Sequence, residues 1–369
     1  MISFYRLVYF FFLLIVLIIP LYLFIFFEKK ASAEINDYIL NNGSYASILN
    51  HPCTKKIYKQ FDYNQQKLES IILAKSKSLG YYPLNKYGWR FTDIESEFYN
   101  VKNGRRKVCF NNSKDNNIII LGGSTTWGIG VEDCDTIPSK LQQSYGNKFA
   151  INNLSIPGFY SFYEKELFLE NYRNYANLKK VIFLDGLNEL YYESNDEPKK
   201  NKRFFHNYMY KFFGKYNLFK LHLIKKHDSL KNKNISNLSE CTKYELKPNK
   251  TVSNSDLNFY TNRYLEYYKE VTDICEKIMI KCYFFLQPIP SKDYPNAYEF
   301  ANSNGGYNDL QYGRYNDFVD NIMSKKLNNI YDISDIIKHV EYSYIDKVHY
   351  SPSASSIIAN IMFQITNEK

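Results

Sequence analysis

The hydrophobic and polar positions divide the chain into three parts with different patterns. An uninterrupted apolar run comes first, from Leu7 to Phe27, and it contains no charged residue. Residues 34–116 follow, and they are polar and rich in tyrosine without a sustained period. From residue 117 onward, short apolar runs alternate with helix-length segments. We therefore predict a division into an N-terminal anchor at 1–33, a stalk or accessory region at 34–116 and a main domain at 117–369.

The apolar run at residues 7–27 is long enough to cross a membrane as a helix. Its 21 residues, at about 1.5 Å each, span the roughly 30 Å of a hydrocarbon core. A cleaved signal peptide is the alternative, since Ala31-Ser32-Ala33 is similar to a cleavage site, but signal peptides have apolar regions of about 7 to 15 residues. We predict one transmembrane helix, whose flanking charges do not decide its orientation.

Five apolar runs in the main domain have the length and composition of buried strands. They are Asn117 to Leu121, Ala150 to Leu154, Lys180 to Leu184, Lys281 to Leu286 and Asn329 to Ile333. Because helix-length segments separate them, they predict a mainly five-stranded parallel sheet with helices on both faces, a three-layer α/β/α sandwich. Ligands bind beyond the carboxyl ends of the strands in such sheets, so functional residues should follow these runs directly.

A long basic segment interrupts this pattern between the third and fourth predicted strands. The insertion covers about residues 191–254, and its part 199–250 holds 14 Lys or Arg against three acidic residues, a net charge of +11. Two interpretations are open: a solvated loop, or a surface that contacts anionic lipid headgroups or acidic glycan through basic and aromatic side chains. Nucleic acid is not expected as a partner, because the chain has no recognised nucleic-acid-binding module.

Composition excludes several classes of protein. With 45% hydrophobic and 18% aromatic residues, the chain can form a real core, which excludes a disordered polymer. The net charge of +9 is too diffuse to identify a partner. None of the six cysteines forms a Cys-x-x-Cys pair, so a zinc ribbon or thioredoxin-type site is unsupported, and we expect no metal and no cofactor. The even number of cysteines permits disulfides outside the cytosol without requiring them.

Four short motifs follow the predicted strands or precede the last helix. They are Leu121-Gly122-Gly123-Ser124, Ile156-Pro157-Gly158, Asp185-Gly186-Leu187-Asn188-Glu189 and Asp346-Lys347-Val348-His349. The two glycines before Ser124 allow a sharp turn that would expose its hydroxyl at the sheet edge. Each motif alone is compatible with an ordinary turn or helix cap. Their common position at strand ends and before the helix that opens at Pro352 favours one functional site.

These motifs contain the groups that acyl transfer requires. A serine hydroxyl is a weak nucleophile at neutral pH and needs a base within hydrogen-bond reach. His349 is the candidate base, because the other five histidines have no accompanying motif. Asp346, three residues earlier, can fix the tautomer of this histidine and stabilise its imidazolium form. We therefore predict Ser124, His349 and Asp346 as catalytic residues.

The order of the four motifs resembles that of the SGNH hydrolases, also called the GDSL esterase/lipase family. In that order, Gly122-Gly123-Ser124 is similar to the nucleophile block, Gly158 to the glycine block, Gly186-Leu187-Asn188 to the Gly-x-Asn block and Asp346 to His349 to the Asp-x-x-His block. The resemblance covers roughly residues 80–190 and 255–366. It implies a flavodoxin-like SGNH hydrolase fold and an oxyanion hole formed by the backbone N–H groups of Ser124 and Gly158 and the Asn188 side-chain amide.

Two positions depart from the pattern of that family. The nucleophile block reads Gly-Gly-Ser-Thr-Thr instead of Gly-Asp-Ser-Leu, and the third block ends in Glu189 where Asp is commoner. Neither change removes a catalytic group. The departures therefore bear on the subfamily and leave the implied chemistry intact.

The anchor, the basic insertion and the resemblance together predict a membrane-anchored serine esterase whose catalytic domain lies outside the cytoplasm, in the periplasm or at the cell surface. We expect it to hydrolyse acyl esters, O-acetyl esters foremost, on cell-envelope polysaccharide. An O-acyltransferase and a lipid esterase would use the same site. A non-catalytic glycan-binding or assembly protein with the same fold is the alternative from a different class.

Overall fold

The computed structural model describes most of the main domain and parts of the chain before it. The described residues are 19–41, 52–78, 93–111, 116–192, 254–290, 312–346 and 348–367, together with Tyr9 and Phe12. The basic insertion predicted at 191–254 lies almost entirely outside them, as does much of the apolar run at 7–27. Among the helices in the described part of the chain, none is both long enough and apolar enough to span a membrane.

A five-stranded parallel sheet forms the centre of the main domain. Two short strands before it, β1 (Val101–Lys102) and β2 (Arg105–Arg106), form an antiparallel hairpin. The sheet itself consists of β3 (Asn117–Gly122), β4 (Ala150–Asn153), β5 (Leu178–Asp185), β6 (Lys281–Leu286) and β7 (Ile330–Asp332). Its order is β4-β3-β5-β6-β7, with every neighbouring pair parallel. The predicted parallel sheet is confirmed, and each strand begins and ends within two residues of its predicted bounds.

Helices flank this sheet, and the strand residues that face either side of it are buried. The described helices are α1 (Ile19–Asn41), α2 (Pro52–Lys59), α3 (Gln65–Ser78), α4 (Ser124–Trp127), α5 (Ile137–Tyr145), α6 (Ser161–Asn171), α7 (Leu187–Tyr192), α8 (Asn254–Lys277), α9 (Tyr312–Met323) and α10 (Pro352–Asn367). Helices α5 and α10 pack together on one face, and α8 packs with α6 and α9 on the other. Because both faces are covered, the central strand residues Ile118, Ile119 and Ile120 are all fully buried.

The strand order places a topological switch point between β3 and β5. The chain passes from β3 to β4 in one direction across the sheet and then returns past β3 to form β5. This is the flavodoxin-like order, in which ligands bind in the crevice at the carboxyl ends of the two strands beside the switch. Ser124 lies two residues after the end of β3 at this edge, and Asn188 lies three residues after the end of β5.

The described parts of the accessory region pack against the main domain. On α2, the side chains of Ile57 and Tyr58 are buried. The Thr54 hydroxyl donates a hydrogen bond to the Ile345 carbonyl at 3.2 Å, and the Tyr58 hydroxyl donates to the Gly130 carbonyl at 2.7 Å. The domain boundary at residues 116 and 117 stays a prediction.

Two disulfides have both of their cysteines in the described part of the chain. Cys109 is bonded to Cys134, and Cys275 to Cys282. Cys53 is also disulfide-bonded. No described cysteine carries a free thiol.

A buried arginine connects the β1–β2 hairpin to the segment that follows the first sheet strand. The Arg106 guanidinium donates to the Trp127 carbonyl at 3.2 Å, to the Gly128 carbonyl and to the Val131 carbonyl at 2.5 Å. Its Nε also donates to Asp133 at 3.0 Å. The last carbonyls of a helix have no intrahelical donor and carry partial negative charge. Arg106 supplies these donors at the end of α4, the helix that begins with Ser124.

We expect Arg106→Met to destabilise the protein strongly, because it leaves Asp133 as a buried charge without its cation. The free energy of unfolding should fall by about 3 to 5 kcal/mol. Urea denaturation followed by circular dichroism measures this change. Lys102→Met in the same hairpin alters an exposed side chain and should change the free energy of unfolding by less than about 0.5 kcal/mol. Equal unfolding midpoints for the two variants would contradict the structural role of Arg106.

Candidate active site

Ser124 occupies the turn between the first sheet strand and a very short helix. It is the first residue of α4, with Gly123 as the helix cap before it and Gly128 as the cap after it. Gly128 has φ +81° in the left-handed region, and an added Cβ there would lie 2.4 Å from the Thr136 side chain. First-turn N–H groups of a helix have no intrahelical acceptor, so they can donate to a ligand oxygen. The turn therefore presents the half-buried Ser124 together with backbone donors.

The side-chain amide of Asn188 lies against this turn. Asn188 Nδ2 donates a hydrogen bond to the Phe159 carbonyl at 2.6 Å. A Cβ added to Gly123 would lie only 2.4 Å from the same nitrogen. Since Phe159 directly follows Gly158, the three segments that carry the predicted oxyanion donors meet at one edge of the sheet.

This contact gives a physical reason for the first departure from the SGNH pattern. The family has aspartate where this chain has Gly123, but an added Cβ would lie 2.4 Å from Asn188 Nδ2 and 3.3 Å from the Phe159 carbonyl oxygen. Any side chain at residue 123 would therefore displace the Asn188 amide. Gly123 leaves room for the amide in its present position, and its φ of −86° lies outside the left-handed region.

Asp346 and His349 form a hydrogen-bonded pair. The distance between His349 Nδ1 and Asp346 Oδ2 is 2.6 Å. The other carboxylate oxygen accepts from the backbone N–H groups of Val348 at 2.8 Å and His349 at 2.7 Å. Burial tends to raise the pKa of Asp346, but the charge of His349 and these hydrogen bonds outweigh burial, so the pKa lies below its ordinary value. Asp346 is therefore an ionised acceptor that fixes the orientation of the imidazole.

The second ring nitrogen of His349 has no hydrogen-bond partner in the described part of the chain. Nε2 is buried, and the side chain as a whole is 12% exposed. With Nδ1 bonded to a carboxylate, the proton of neutral histidine resides on Nδ1, and Nε2 is the acceptor. No hydrogen bond between His349 Nε2 and the Ser124 hydroxyl is formed in this structure.

Hydrogen bonds of Thr125 and Tyr350 place the Ser124 turn and the Asp346–His349 pair at the end of the same strand, β6. The Thr125 hydroxyl donates to the Gln287 side chain at 2.7 Å, and the Tyr350 hydroxyl donates to the Pro288 carbonyl at 2.6 Å. Gln287 and Pro288 directly follow β6. The residue after Ser124 and the residue after His349 therefore bind adjacent positions at the carboxyl edge of one strand.

Helix α2 supports the Asp346–His349 segment from the accessory region. Thr54 binds the carbonyl of Ile345, the residue before Asp346. Burial raises the pKa of Tyr58, and the nearby negative charge of Asp346 raises it further.

Sequence analysis did not identify Thr54 or Tyr58, because no local motif accompanies them. Gln287 was missed for the same reason, although it follows a correctly predicted strand.

Three buried carboxyl groups lie together behind the Asn188 segment. Glu164 comes from α6, Asp185 from the end of β5 and Glu189 from α7, and each is at most 3% exposed. Burial raises the pKa of Glu164 well above its ordinary value, with Asp185 and Glu189 adding to the rise. Burial also raises the pKa of Asp185, to about 6, although its interactions with Glu164 and with the Tyr264 hydroxyl, which donates a hydrogen bond to it, oppose the rise. The cluster therefore holds protons more tightly than exposed carboxyl groups do.

These raised pKa values predict that stability falls as the pH rises from about 5 to about 8. In this range the unfolded carboxyl groups, with pKa values near 4, are ionised, whereas the folded cluster retains protons. Each retained proton makes the free energy of unfolding fall by up to about 1.4 kcal/mol per pH unit. Glu164→Gln should reduce this slope, and urea midpoints measured across the range test it. The exposed Glu170→Gln on the same helix should leave the slope unchanged, and an unchanged slope for Glu164→Gln would contradict the assignment.

Among the comparisons with known proteins, the one with solved structures finds proteins that are similar to this chain. No protein-family model matches the chain, and no curated protein matches it in sequence. The chain is similar to an acetyl xylan esterase, with 11% identity and a TM-score of 0.34 over 68% of this chain and 98% of that chain. It is also similar to the carbohydrate acetylesterase Est24 from Sinorhizobium meliloti, with 10% identity and a TM-score of 0.39 over 69% and 99% of the two chains. A protein assigned as a GDSL-like lipase from Parabacteroides merdae has 12% identity and a TM-score of 0.39 over 70% and 99%.

Proposed function

We propose that this chain is a serine ester hydrolase of the SGNH type, with Ser124 as nucleophile, His349 as general base and Asp346 as the group that orients the base. The observation that supports this most directly is the Asp346–His349 pair. The 2.6 Å bond at Nδ1 leaves the buried Nε2 as a proton acceptor. A histidine held in this tautomer, at the carboxyl edge of the parallel sheet that also carries the half-buried Ser124, is suited to acyl transfer.

In the acylation step, the Ser124 hydroxyl oxygen attacks the ester carbonyl carbon, and its proton passes to His349 Nε2. Asp346 stabilises the resulting imidazolium. When the tetrahedral intermediate collapses, the bond to the alcohol oxygen breaks and the alcohol takes the proton from His349. The Ser124 hydroxyl and His349 Nε2 form no hydrogen bond in this structure. We propose that substrate binding brings these two atoms within hydrogen-bond distance, since catalytic hydrogen bonds tighten in the Michaelis complex.

In the deacylation step, water attacks the acyl group on Ser124 while His349 accepts a proton from it. Collapse of the second intermediate returns the proton to Ser124 and releases the carboxylic acid. A sugar hydroxyl in place of water would complete an acyl transfer by the same steps. The acyltransferase alternative therefore uses the same residues and differs only in the acceptor.

The developing oxyanion would be stabilised by three donors. Two are the backbone N–H groups of Ser124 and Gly158, and the third is the Asn188 side-chain amide. That amide has two hydrogens, and the bond to the Phe159 carbonyl uses one of them. The second hydrogen is the one we assign to the oxyanion.

We expect Ser124→Ala and His349→Ala each to remove nearly all ester hydrolysis. The two residues act as one unit, so the double variant should lose little more than either single variant. Hydrolysis of p-nitrophenyl acetate and covalent labelling by a fluorophosphonate probe measure the two effects. Labelling of the wild type but not of Ser124→Ala supports the enzyme. A folded wild-type protein that neither labels nor hydrolyses a series of p-nitrophenyl esters would favour the non-catalytic binding role.

The basic segment and the predicted anchor bear on the substrate and on the location of the protein. We propose acyl esters, O-acetyl esters foremost, on envelope polysaccharide as the substrate, with lipid esters as the alternative. The net charge of +11 at residues 199–250 suits an acidic glycan or anionic headgroups. Residues 19–27 of α1 are all exposed although nearly all are apolar, which supports an anchoring role for the predicted segment 7–27.

Disulfides support placement of the catalytic domain outside the cytoplasm, because disulfides persist in oxidising compartments. If this placement is right, Cys109, Cys134, Cys275 and Cys282 should be oxidised in the cell. Treating growing cells with maleimide before lysis, followed by mass spectrometry, should leave these four cysteines unmodified unless the lysate is first reduced. The same experiment on Cys109→Ser, which leaves Cys134 without its partner, provides the positive control for labelling. Modification of all four cysteines without reduction would contradict the placement.

A further inference from the structure

We infer that Glu189 is a positioning residue that holds the two loops of the proposed oxyanion hole at a fixed spacing. One loop contains Gly158 and leads into α6, and the other contains Gly186 and leads into α7, whose second residue is Asn188. The inference rests on the proposed function, because it explains how two of the proposed donors are kept in place. It also gives a role to the second departure from the SGNH pattern.

The two carboxylate oxygens of Glu189 bind backbone groups from both loops. Oε1 accepts from the Ser161 N–H at 2.9 Å, and Oε2 accepts from the Gly186 N–H at 2.8 Å. The bond to Gly186 is local, because Glu189 is the third residue of α7 and reaches back to the residue before the helix, as in a capping box. The bond to Ser161 connects a different segment, 28 residues away in sequence. Glu189 therefore does more than cap its own helix.

A second connection between the same loops comes from the adjacent residue. Asn188 donates to the Phe159 carbonyl at 2.6 Å, and Glu189 accepts from the Ser161 N–H. Neighbouring side chains on α7 thus bind alternate backbone groups of the other loop, one as donor and one as acceptor. Two such connections resist both sliding and rotation of one loop against the other, whereas a single bond resists neither well.

The surroundings of Glu189 make this connection rigid. Its side chain is 1% exposed, so water does not reach the carboxyl group to replace its N–H partners. Its charged and titratable neighbours are Asp185, Glu164, Tyr264, Tyr267 and Tyr315, contributed by β5, α6, α8 and α9. Burial and the charge of Asp185 raise the pKa of Glu189, to about 8, and the backbone N–H groups of Ser161, Glu189 and Gly186 oppose that rise. Loss of the Ser161 or the Gly186 donor would therefore raise this pKa further.

Glu189→Gln tests the inference with a nearly isosteric change. The amide has one oxygen, so it can satisfy only one of the two backbone N–H groups, and its own NH₂ then faces the other. For p-nitrophenyl acetate we expect kcat to fall about 10-fold to 100-fold with KM changed less than about 3-fold, since the oxyanion exists only in the transition state. Asn188→Ala serves as the reference for losing a donor outright, with an expected loss of about 100-fold to 1,000-fold in kcat.

Glu164→Gln is the matched control for burial and charge. Glu164 belongs to the same buried cluster and is 2% exposed, but its described contacts are with the cluster and not with the Gly186 loop. Gln is nearly isosteric with Glu and carries no charge. This variant should keep kcat within about 3-fold of the wild type. Equal losses of kcat in Glu164→Gln and Glu189→Gln would assign the effect to the charge cluster and overturn the inference.

Ser161→Pro removes the same bond from the opposite side. Ser161 is the first residue of α6, a position where proline is favoured, and Tyr160 before it already has φ −132° and ψ 173°, which proline allows. The variant lacks the N–H that Glu189 accepts, and it should lower kcat as Glu189→Gln does. The double variant should lose no more kcat than the more affected single variant, because both remove one bond. Fully multiplicative losses, or an unchanged kcat in Glu189→Gln, would overturn the inference.

Amide hydrogen exchange separates this inference from the proposed function. In Glu189→Gln, exchange at Ser161, Gly186 or both should become at least about 10-fold faster than in the wild type and in Glu164→Gln. If the wild type neither hydrolyses esters nor reacts with the fluorophosphonate probe, the proposed function fails, and exchange still decides whether Glu189 connects the loops. Unchanged exchange at both amides would overturn the inference whatever the activity.

Discussion

The close approach between the Asn188 amide and the backbone at Gly123 is the contact on which the proposed site depends. It brings the end of β5 against the turn that follows β3, at the switch point of the sheet. Gly123 leaves room for this approach, and the Phe159 carbonyl accepts a hydrogen bond from the amide. In the proposed reaction, the absence of a side chain at residue 123 thus lets the amide lie against the turn that carries the nucleophile.

Groups from outside the sheet hold both halves of this site. Arg106 satisfies the carbonyls at the end of α4, and Thr54 binds the segment that leads into Asp346. The accessory region therefore contributes to the frame of the site and does not act only as a connection to the predicted anchor. A short helix such as α4 has few bonds of its own, so external donors are what keep its first residue in place.

Burial of three acidic side chains behind Asn188 lowers the stability of the folded protein. Three carboxyl groups share a volume with almost no solvent, and burial raises the pKa of each of them. Glu189 is distinguished from the other two acids by its two backbone N–H partners. Because Glu189 belongs to this cluster, the pH dependence of stability and the geometry of the proposed oxyanion hole depend on one shared residue.

The sequence by itself determined the strands, their parallel arrangement and the position of the chemical motifs. Apolar runs such as Lys281 to Leu286 identify buried strands because both faces of a parallel sheet are covered, and strand ends then locate the site. The pairing of Asp346 with His349 was also predictable, since only two residues separate them. Only the tertiary structure decided the contacts of Thr54, Arg106 and Glu164, because their partners are distant in sequence, up to 291 positions for Thr54 and Ile345. Such contacts depend on how helices pack, and no local pattern of residues encodes them.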